Sequence, residues 1–585
     1  RVVLDFAQKL KRTMDEKLNA IMEKFWKWRL KEAPEFGTLV GDHSCDDKLN
    51  DMSLDAYDKR LECAKDFIGE LEKIDVEKLK KESKLNYELL HLELTTYING
   101  MTFKCYLFPI NGLEGPQADF SKTISWMKRA VPADFEKILS RYNTFPKQAD
   151  QIIELLKKGV ETGYVNAKVS MKKVPEQFTK IVETPAKDSA FYEPFRDIPS
   201  SIDEKKGSSL QEEALTAIKK KLYPAFMKIN NYIQETYLPA CRDNIACISL
   251  PSGRAFYDAA LKFHLSTDMT ADEVHQTGLN EVERIKGRIH KVMKEVGFEG
   301  TQKQFLQHLK NDPQFYMNKK DDFLALYNNT CQEIDQLMPK YFKTLPKMKC
   351  EIKEMLPEVG VTAPVGCYNT GSVEGRPGVF HINTYRFEKR PIYNCPYLCL
   401  HEAVPGHHHQ GSLGIEQTNL PAFRRYVEGR HYYEIPSRFA LYGAYMEGWG
   451  LYTEYLGEEM NVYKTPYELF GRLSAEIFRA CRCVVDTGMH VKGWTRQQAV
   501  DYVANNAGLP EHEIEAEVDR YITWPGQACG YKIGELKIKE LREKAKAELG
   551  EKFDVREFHD ALLLESAVPI SVLEEIIDQY INSKK

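Results

Sequence analysis

The stretch HEAVPGHHHQ, residues 401–410, decides how the rest of the chain is read. It opens with His401-Glu402, the start of the HExxH pattern, in which imidazoles at i and i+4 share one helix face and the glutamate beside the first reaches a water on the metal. Here the fifth position is Pro405, followed by Gly406, His407, His408 and His409. At about 100° per residue His407 would sit roughly 240° around a regular helix from His401, while His408 would regain the right face only about 10 Å further along. A regular helix therefore cannot build a metal site here. The proline ring clashes with the carbonyl four residues back, that of His401, and the adjacent glycine eases a non-helical turn. Pro405-Gly406 thus predicts a kink or bulge that swings a later histidine back toward His401. His407 needs the smaller rearrangement and is the preferred second ligand, with His408 as the alternative.

A third ligand is required for a catalytic zinc, which keeps its fourth position for water or substrate. Downstream, YMEGWGLYTEYL (445–456) offers Glu447 and Glu454, seven residues apart and so nearly on one helix face. Either could face the ion. Glu402 is then the general base and one Zn²⁺ per chain the expected cofactor.

The surrounding sequence is mainly helical. Val274, Val282, Ile285, Ile289, Val292 and Val296 recur at helical steps behind the capping box Thr270/Glu273. Leu215, Ile218, Leu222, Phe226, Ile229, Ile233 and Tyr237 form a second stripe, and Leu573, Ile576, Ile577 and Tyr580 a third behind Ser571 and Glu574. The best strand signal is 378–384, where Val379, His381 and Asn383 alternate with Phe380 and Ile382, so a small sheet is expected beside the metal-binding helix. An exposed edge there could add an extended peptide as a further strand. The polar, proline-containing stretches 196–209 and 240–253 are candidate passages between two lobes, an N-terminal one over 1–245 and a catalytic one over 246–585.

Composition narrows the partners. The 585 residues carry 81 Lys+Arg against 86 Asp+Glu, a formal charge of −5, with no basic block that would call for nucleic acid. No apolar run approaches the roughly 18–20 residues that cross a bilayer. Arg1 in place of Met suggests a removed leader. Thirteen cysteines cannot all pair within one chain, but Cys241 and Cys247 bracket a short loop where a bridge could close, and Asn328-Asn329-Thr330 is a glycosylation acceptor pattern. Together these slightly favour secretion over the cytoplasm. Oligomeric state is not encoded in any motif.

Beyond HEAVPGHH, the chain carries EGWGLYTE, DTGMHVKGWT (486–495) and PGQACGYK (525–532). These four blocks, in this order, resemble the domain of unknown function 885 family, which has HEAxPGHH, an EGWALYAE-like segment, DTGxHxxGWT and PGQAxxYK-like segments, and the likeness covers nearly the whole chain. That family in turn resembles gluzincin zinc peptidases such as angiotensin-converting enzyme and thimet oligopeptidase. The resemblance implies a large, mainly α, two-lobed helical shell around a deep substrate channel. It also implies His401 and a histidine after Gly406 as ligands, Glu402 as base, Glu447 as third ligand and Glu454 behind the ligands. His381 and Cys529 depart from the aromatic and small aliphatic residues expected at their places.

Other residues complete the candidate site. Tyr531, in the glycine-rich loop WPGQACGYKIG, is placed to donate to the oxyanion formed when water attacks a carbonyl, as a late-loop tyrosine does in the peptidases it resembles. His490 is a candidate second donor, and Gln527, Lys532, Arg479 or Arg520 could receive a substrate carboxylate. Cys395 and Cys399 have a spacing that could bind metal but read more simply as core, and Cys481 and Cys483 point to different sides of a helix. The reading is zinc-dependent hydrolysis of peptide bonds, on short peptides or chain ends. Its alternatives are a zinc-dependent amidase or carbamoyl hydrolase acting on a small molecule, and a scaffold that binds metal or peptide without turnover. Retention of Glu402 argues against the scaffold.

Overall fold

The computed structural model describes residues 13–355, 364–372, 375–439 and 441–585. Helices dominate it, as the apolar periodicity requires. The stripe from Leu215 to Tyr237 lies on one continuous helical run over 204–240, interrupted by π turns at Ile218–Leu222 and Ile233–Tyr237. Each π turn contains the carbonyl that Pro224 or Pro239, lacking an N–H and bulky at its ring, would otherwise meet four residues back. The C-terminal helix Ile570–Lys584 carries the third stripe, but it starts after Pro569, with Ser571 inside its first turn and no side-chain cap.

Contacts divide the chain into two units. The first runs to Phe256 and takes back Pro421–Phe423 and Glu428–Ala440; the second comprises Tyr257–Leu420, Arg424–Val427 and Leu441–Lys585. The passage therefore falls just past the 240–253 connection, while 196–209 lies inside the first unit. The first unit is organised by the helix Pro132–Thr162, whose Phe135, Tyr142, Phe145 and Ile152 are buried among Phe120, Phe191 and Phe226. Cys241 and Cys247 are not bridged, and none of the described residues, which include all thirteen cysteines, is in a disulfide. The loop they bracket is held instead by Arg242, which donates to the carbonyls of Val165, Asn244 and Ala246. Burial pushes the Cys241 thiol up to about 12, which suppresses the thiolate a bridge would require.

The second unit holds all the candidate site residues. Its frame comprises α1 (Ala271–Glu295), α2 (Lys320–Tyr341), α3 (Cys395–Glu402), α4 (His407–Glu416), α5 (Gly443–Glu459), α6 (Pro466–Val491), α7 (Glu511–Thr523) and α8 (Gly530–Leu549). Thr270 and Glu273 form the expected capping box of α1. Asn328 lies within α2, its amide donating to the Leu324 carbonyl. Three strands, β1 (Cys350–Glu354), β2 (Gly366–Asn369) and β3 (Gly378–Ile382), make a sheet of order β1-β3-β2. Phe380 and Ile382 are buried on one face of β3, as the alternation predicts. The strand is not an open edge, however, because it pairs parallel with β1 and antiparallel with β2. Two short neighbours on either side satisfy its backbone, so strand addition would have to use the outer edge of β1 or β2. The sheet does lie beside the helix that carries His401, for Gly366 packs against Leu398 of α3.

Helices α5 and α8 pack in close contact. A Cβ at Gly534 would lie 1.9 Å from the Ala444 carbonyl oxygen, and one at Gly448 would lie 2.4 Å from the Gly534 backbone. Small residues at four-residue spacing on both helices let the two backbones touch. This fixes Glu447, next to Gly448, relative to Tyr531, next to Gly530.

Candidate metal centre

The helix that begins at Cys395 stops at Glu402 and a new one begins at His407. Ala403 (ψ −112°) and Gly406 (ψ −132°) leave helical geometry, so the expected kink is a full break between two helices. The chain doubles back so closely that a Cβ at Gly406 would stand 1.9 Å from the His401 carbonyl oxygen, a position open only to glycine. Breaking a buried helix orphans its carbonyls, and α5 satisfies two of them: Trp449 Nε1 donates to the Pro405 carbonyl at 2.8 Å and Thr453 Oγ1 to that of Leu400 at 2.8 Å. The EGWGLYTE segment thus stabilises the break as well as supplying Glu447.

The break brings His407 to His401. Their rings lie 4.7 Å apart, at right angles. Glu447 Oε2 is 3.4 Å from His407 Nε2 and 3.8 Å from His401 Nε2, and one ligand atom from each of the three residues falls within 4.8 Å of the others. Ligands at about 2.0–2.1 Å around a tetrahedral zinc stand roughly 3.3–3.4 Å from one another, so two imidazoles and a carboxylate at this spacing fit such an ion after a small contraction. Behind His401, Glu454 accepts its Nδ1–H at 2.8 Å, which fixes the tautomer and leaves Nε2 as the nitrogen turned toward Glu447. Glu454 is fully buried, with Arg479 Nη2 3.5 Å from the same oxygen.

The electrostatics follow from these neighbours. Burial pulls the His401 imidazole down, but Glu447, Glu454 and Glu402 outweigh it and hold it up at about 9. Glu447 is held well below the usual carboxylate range by His401 and His407 despite its burial. Burial raises Glu402, against the opposing charges of His401 and His407. Glu402 stands outside the group of three ligand atoms.

His408 is placed elsewhere. Its Nε2–H donates to the Met348 carbonyl at 3.1 Å and its Nδ1 accepts from Tyr368 Oη of β2 at 3.0 Å, so both nitrogens serve packing, and burial depresses it to about 4. His409 is fully buried against Phe342. Cys395 and Cys399 Sγ lie 3.8 Å apart in the core, as the bland reading held.

Tyr531 opens α8, its hydroxyl accepting from Arg520 Nη2 at 3.2 Å. His490 is buried, its Nε2–H given to the Tyr521 carbonyl at 2.9 Å. Lys532 is already neutralised: fully buried, its ammonium lies 2.7, 2.7 and 2.5 Å from Glu281, Glu476 and Glu535. Those three carboxylates also cluster closely enough for a cation, and the lysine is the cation they hold.

Sequence reasoning gave no role to Asp486, although it opens the DTGMH block. Its carboxyl accepts Tyr257 Oη at 2.7 Å and the Gly526 N–H at 3.0 Å, tying the PGQ loop that leads to Tyr531 onto α6. Burial pushes it up to about 7. The block's position beside that loop was invisible in one dimension.

Residues 34–577 match a family described as "Bacterial protein of unknown function (DUF885)". Among solved structures, a candidate lipoprotein from Colwellia psychrerythraea superposes with a TM-score of 0.91 at 28% identity, covering 98% of this chain and 100% of that one. A candidate lipoprotein of unknown function from Shewanella oneidensis gives 0.70 at 17% identity, with 97% and 100% covered. A candidate oligoendopeptidase F from Bacillus anthracis str. Ames gives 0.30 at 13% identity, with 90% and 92% covered. The chain matches no curated protein.

Proposed function

This chain belongs to the DUF885 family, whose description carries no activity, and we propose from its own site that it is a zinc-dependent hydrolase of peptide bonds, acting on short peptides or chain ends. The observation that carries the proposal is the meeting of His401, His407 and Glu447 across a broken helix, with Glu402 adjacent but outside the ligand group. When bound, a zinc ion would polarise the scissile carbonyl and acidify a water molecule. Glu402 takes the proton of that water and returns it to the leaving amine. Its burial moves it toward the range where a carboxylate can do both. Glu454 keeps His401 in the tautomer whose Nε2 is a lone pair. Tyr531 is the proposed oxyanion donor: because Arg520 donates to its oxygen, its own O–H is left to point at the substrate. For His490 to be a second donor its Nε2–H would have to leave the Tyr521 carbonyl, so the first role falls to Tyr531.

The test is Glu402→Gln, which keeps size and shape. Zinc should stay bound while kcat falls by about 10² to 10⁴ with KM little changed, the usual contribution of a positioned general base. Loss of zinc would make Glu402 a ligand, and near-normal turnover would put the base elsewhere. Mass-spectrometric reading of a mixed peptide library with and without chelator separates the substrates, since no cleavage of any peptide would transfer the proposal to a small amide.

A further inference from the structure

One wall of the second unit carries more positive charge than it neutralises. Arg482 of α6 donates from Nε to Tyr521 Oη at 3.0 Å and from Nη2 to Glu517 Oε2 at 2.9 Å. Arg520 of α7 donates from Nη1 to Glu517 Oε1 at 3.2 Å, and from Nη2 to Gln527 Oε1 at 2.7 Å and Tyr531 Oη at 3.2 Å. The two guanidiniums therefore share one carboxylate. Glu517, although partly buried, is held down to about 2 by Arg520 and Arg482 and is ionised, leaving two positive charges against one negative. Among the described residues neither guanidinium has a second ion-pair partner.

A buried guanidinium without its full set of acceptors is costly, and two N–H groups here lack one. Arg482 is 5% exposed, yet its Nη1 has no hydrogen-bond partner among the described residues, nor has Nε of Arg520. Arg482 is held between the rings of Phe478 and Tyr531, at 4.5 and 4.4 Å, so it cannot swing away to find one. The wall is not sealed, for the side chains of Arg520 and Glu517 are 19% and 25% exposed. It also adjoins the metal centre: Arg479, one turn before Arg482 on α6, touches Glu454 behind His401, and Tyr531 is the proposed oxyanion donor. A fixed, planar pair of donors with one surplus charge is the arrangement that recognises a carboxylate.

Resting on the metallopeptidase reading, we infer that Arg482 and Arg520, with Gln527 and Tyr531 around them, receive the free α-carboxylate at the C-terminal end of a peptide, so that the enzyme cleaves near that end. Lys532 plays no part in this, being enclosed by its own three carboxylates.

The test compares one short N-acetylated peptide as its free acid and as its C-terminal amide. Binding of each to the metal-free, full-length protein is measured by calorimetry, and kcat/KM of each with the zinc-loaded protein. The acid should bind about 10- to 100-fold more tightly, the range of a charge-assisted hydrogen bond, and be cleaved preferentially by a similar factor. Arg520→Gln should abolish the preference for acid over amide without moving the zinc affinity, and Arg520→Lys should restore part of the preference. Equal binding of acid and amide by the unmodified protein would overturn the inference with no variant needed, as would a preference that survives Arg520→Gln. If neither peptide is cleaved but the Arg520-dependent preference in binding remains, the receptor stands and the hydrolytic reading falls.

Discussion

Gly450→Ala should separate metal binding from folding. Gly450 lies on α5, one turn after Glu447, and faces the imidazole of His401. A Cβ there would stand 2.7 Å from Cε1, 2.9 Å from Nε2 and 3.0 Å from Nδ1 of that ring. Ordinary carbon contacts are about 3.5–4.0 Å, so the ring must withdraw by roughly 0.5–1 Å. It is pinned at Nδ1 by the 2.8 Å hydrogen bond to Glu454. Zinc–nitrogen distances tolerate only about ±0.2 Å, so the displaced ring should weaken zinc binding by about 10- to 100-fold or more. Helix propensity works in the opposite direction: alanine in place of a mid-helix glycine gains about 0.5–1 kcal/mol, against about 1–3 kcal/mol if the Glu454 bond is lost. The metal-free variant should therefore remain within about 2.5 kcal/mol of the parent. Zinc affinity is read by competition with a chromophoric chelator, and stability by denaturant unfolding of the metal-free protein. Parental zinc affinity in an intact Gly450→Ala variant would refute the assignment of His401 Nε2 to the ion.

The two histidines after Gly406 should behave oppositely: His407→Ala should abolish stoichiometric zinc, whereas His408→Ala should retain it and lose about 1–3 kcal/mol of stability through the Met348 and Tyr368 partners left behind. Metal analysis of both variants checks this, and loss of zinc in His408→Ala alone would reverse the ligand assignment. Asp486 gives a pH signature. Its folded value of about 7 lies above the roughly 3.9 of an unfolded aspartate, so folding favours the neutral acid. Its burden on stability is absent below about pH 4, grows as pH rises, and levels off above about pH 7 at up to about 4 kcal/mol. Asp486→Asn, which still accepts from Tyr257 and Gly526, should remove that slope and be the more stable protein at pH 8 but not at pH 4.5. Denaturant unfolding at both pH values decides it, and an equal difference at the two would refute it.

The sequence by itself determined most of the local structure and which residue types meet at the candidate site. Apolar spacing placed the helix behind Thr270 and Glu273, alternation placed β3, and the proline-glycine pair after Val404 required that the helix carrying His401 be interrupted, because each of these is a property of neighbours along the chain. The choice between His407 and His408 could be argued in one dimension but not closed, since it depended on how far the chain turns in the break. Only the tertiary structure brings His407 rather than His408 beside His401, with Trp449 and Thr453 taking up the orphaned carbonyls and Tyr368 and Met348 claiming both nitrogens of His408. The same limit explains the readings that changed. Lys532 looked available to substrate until three carboxylates from α1, α6 and α8 enclosed it, and β3 looked like an edge until strands before and between covered both its sides. A residue's type and its near neighbours fix what it can do. Which partner it does it with is set by contacts between segments tens to hundreds of residues apart, and no periodicity records those.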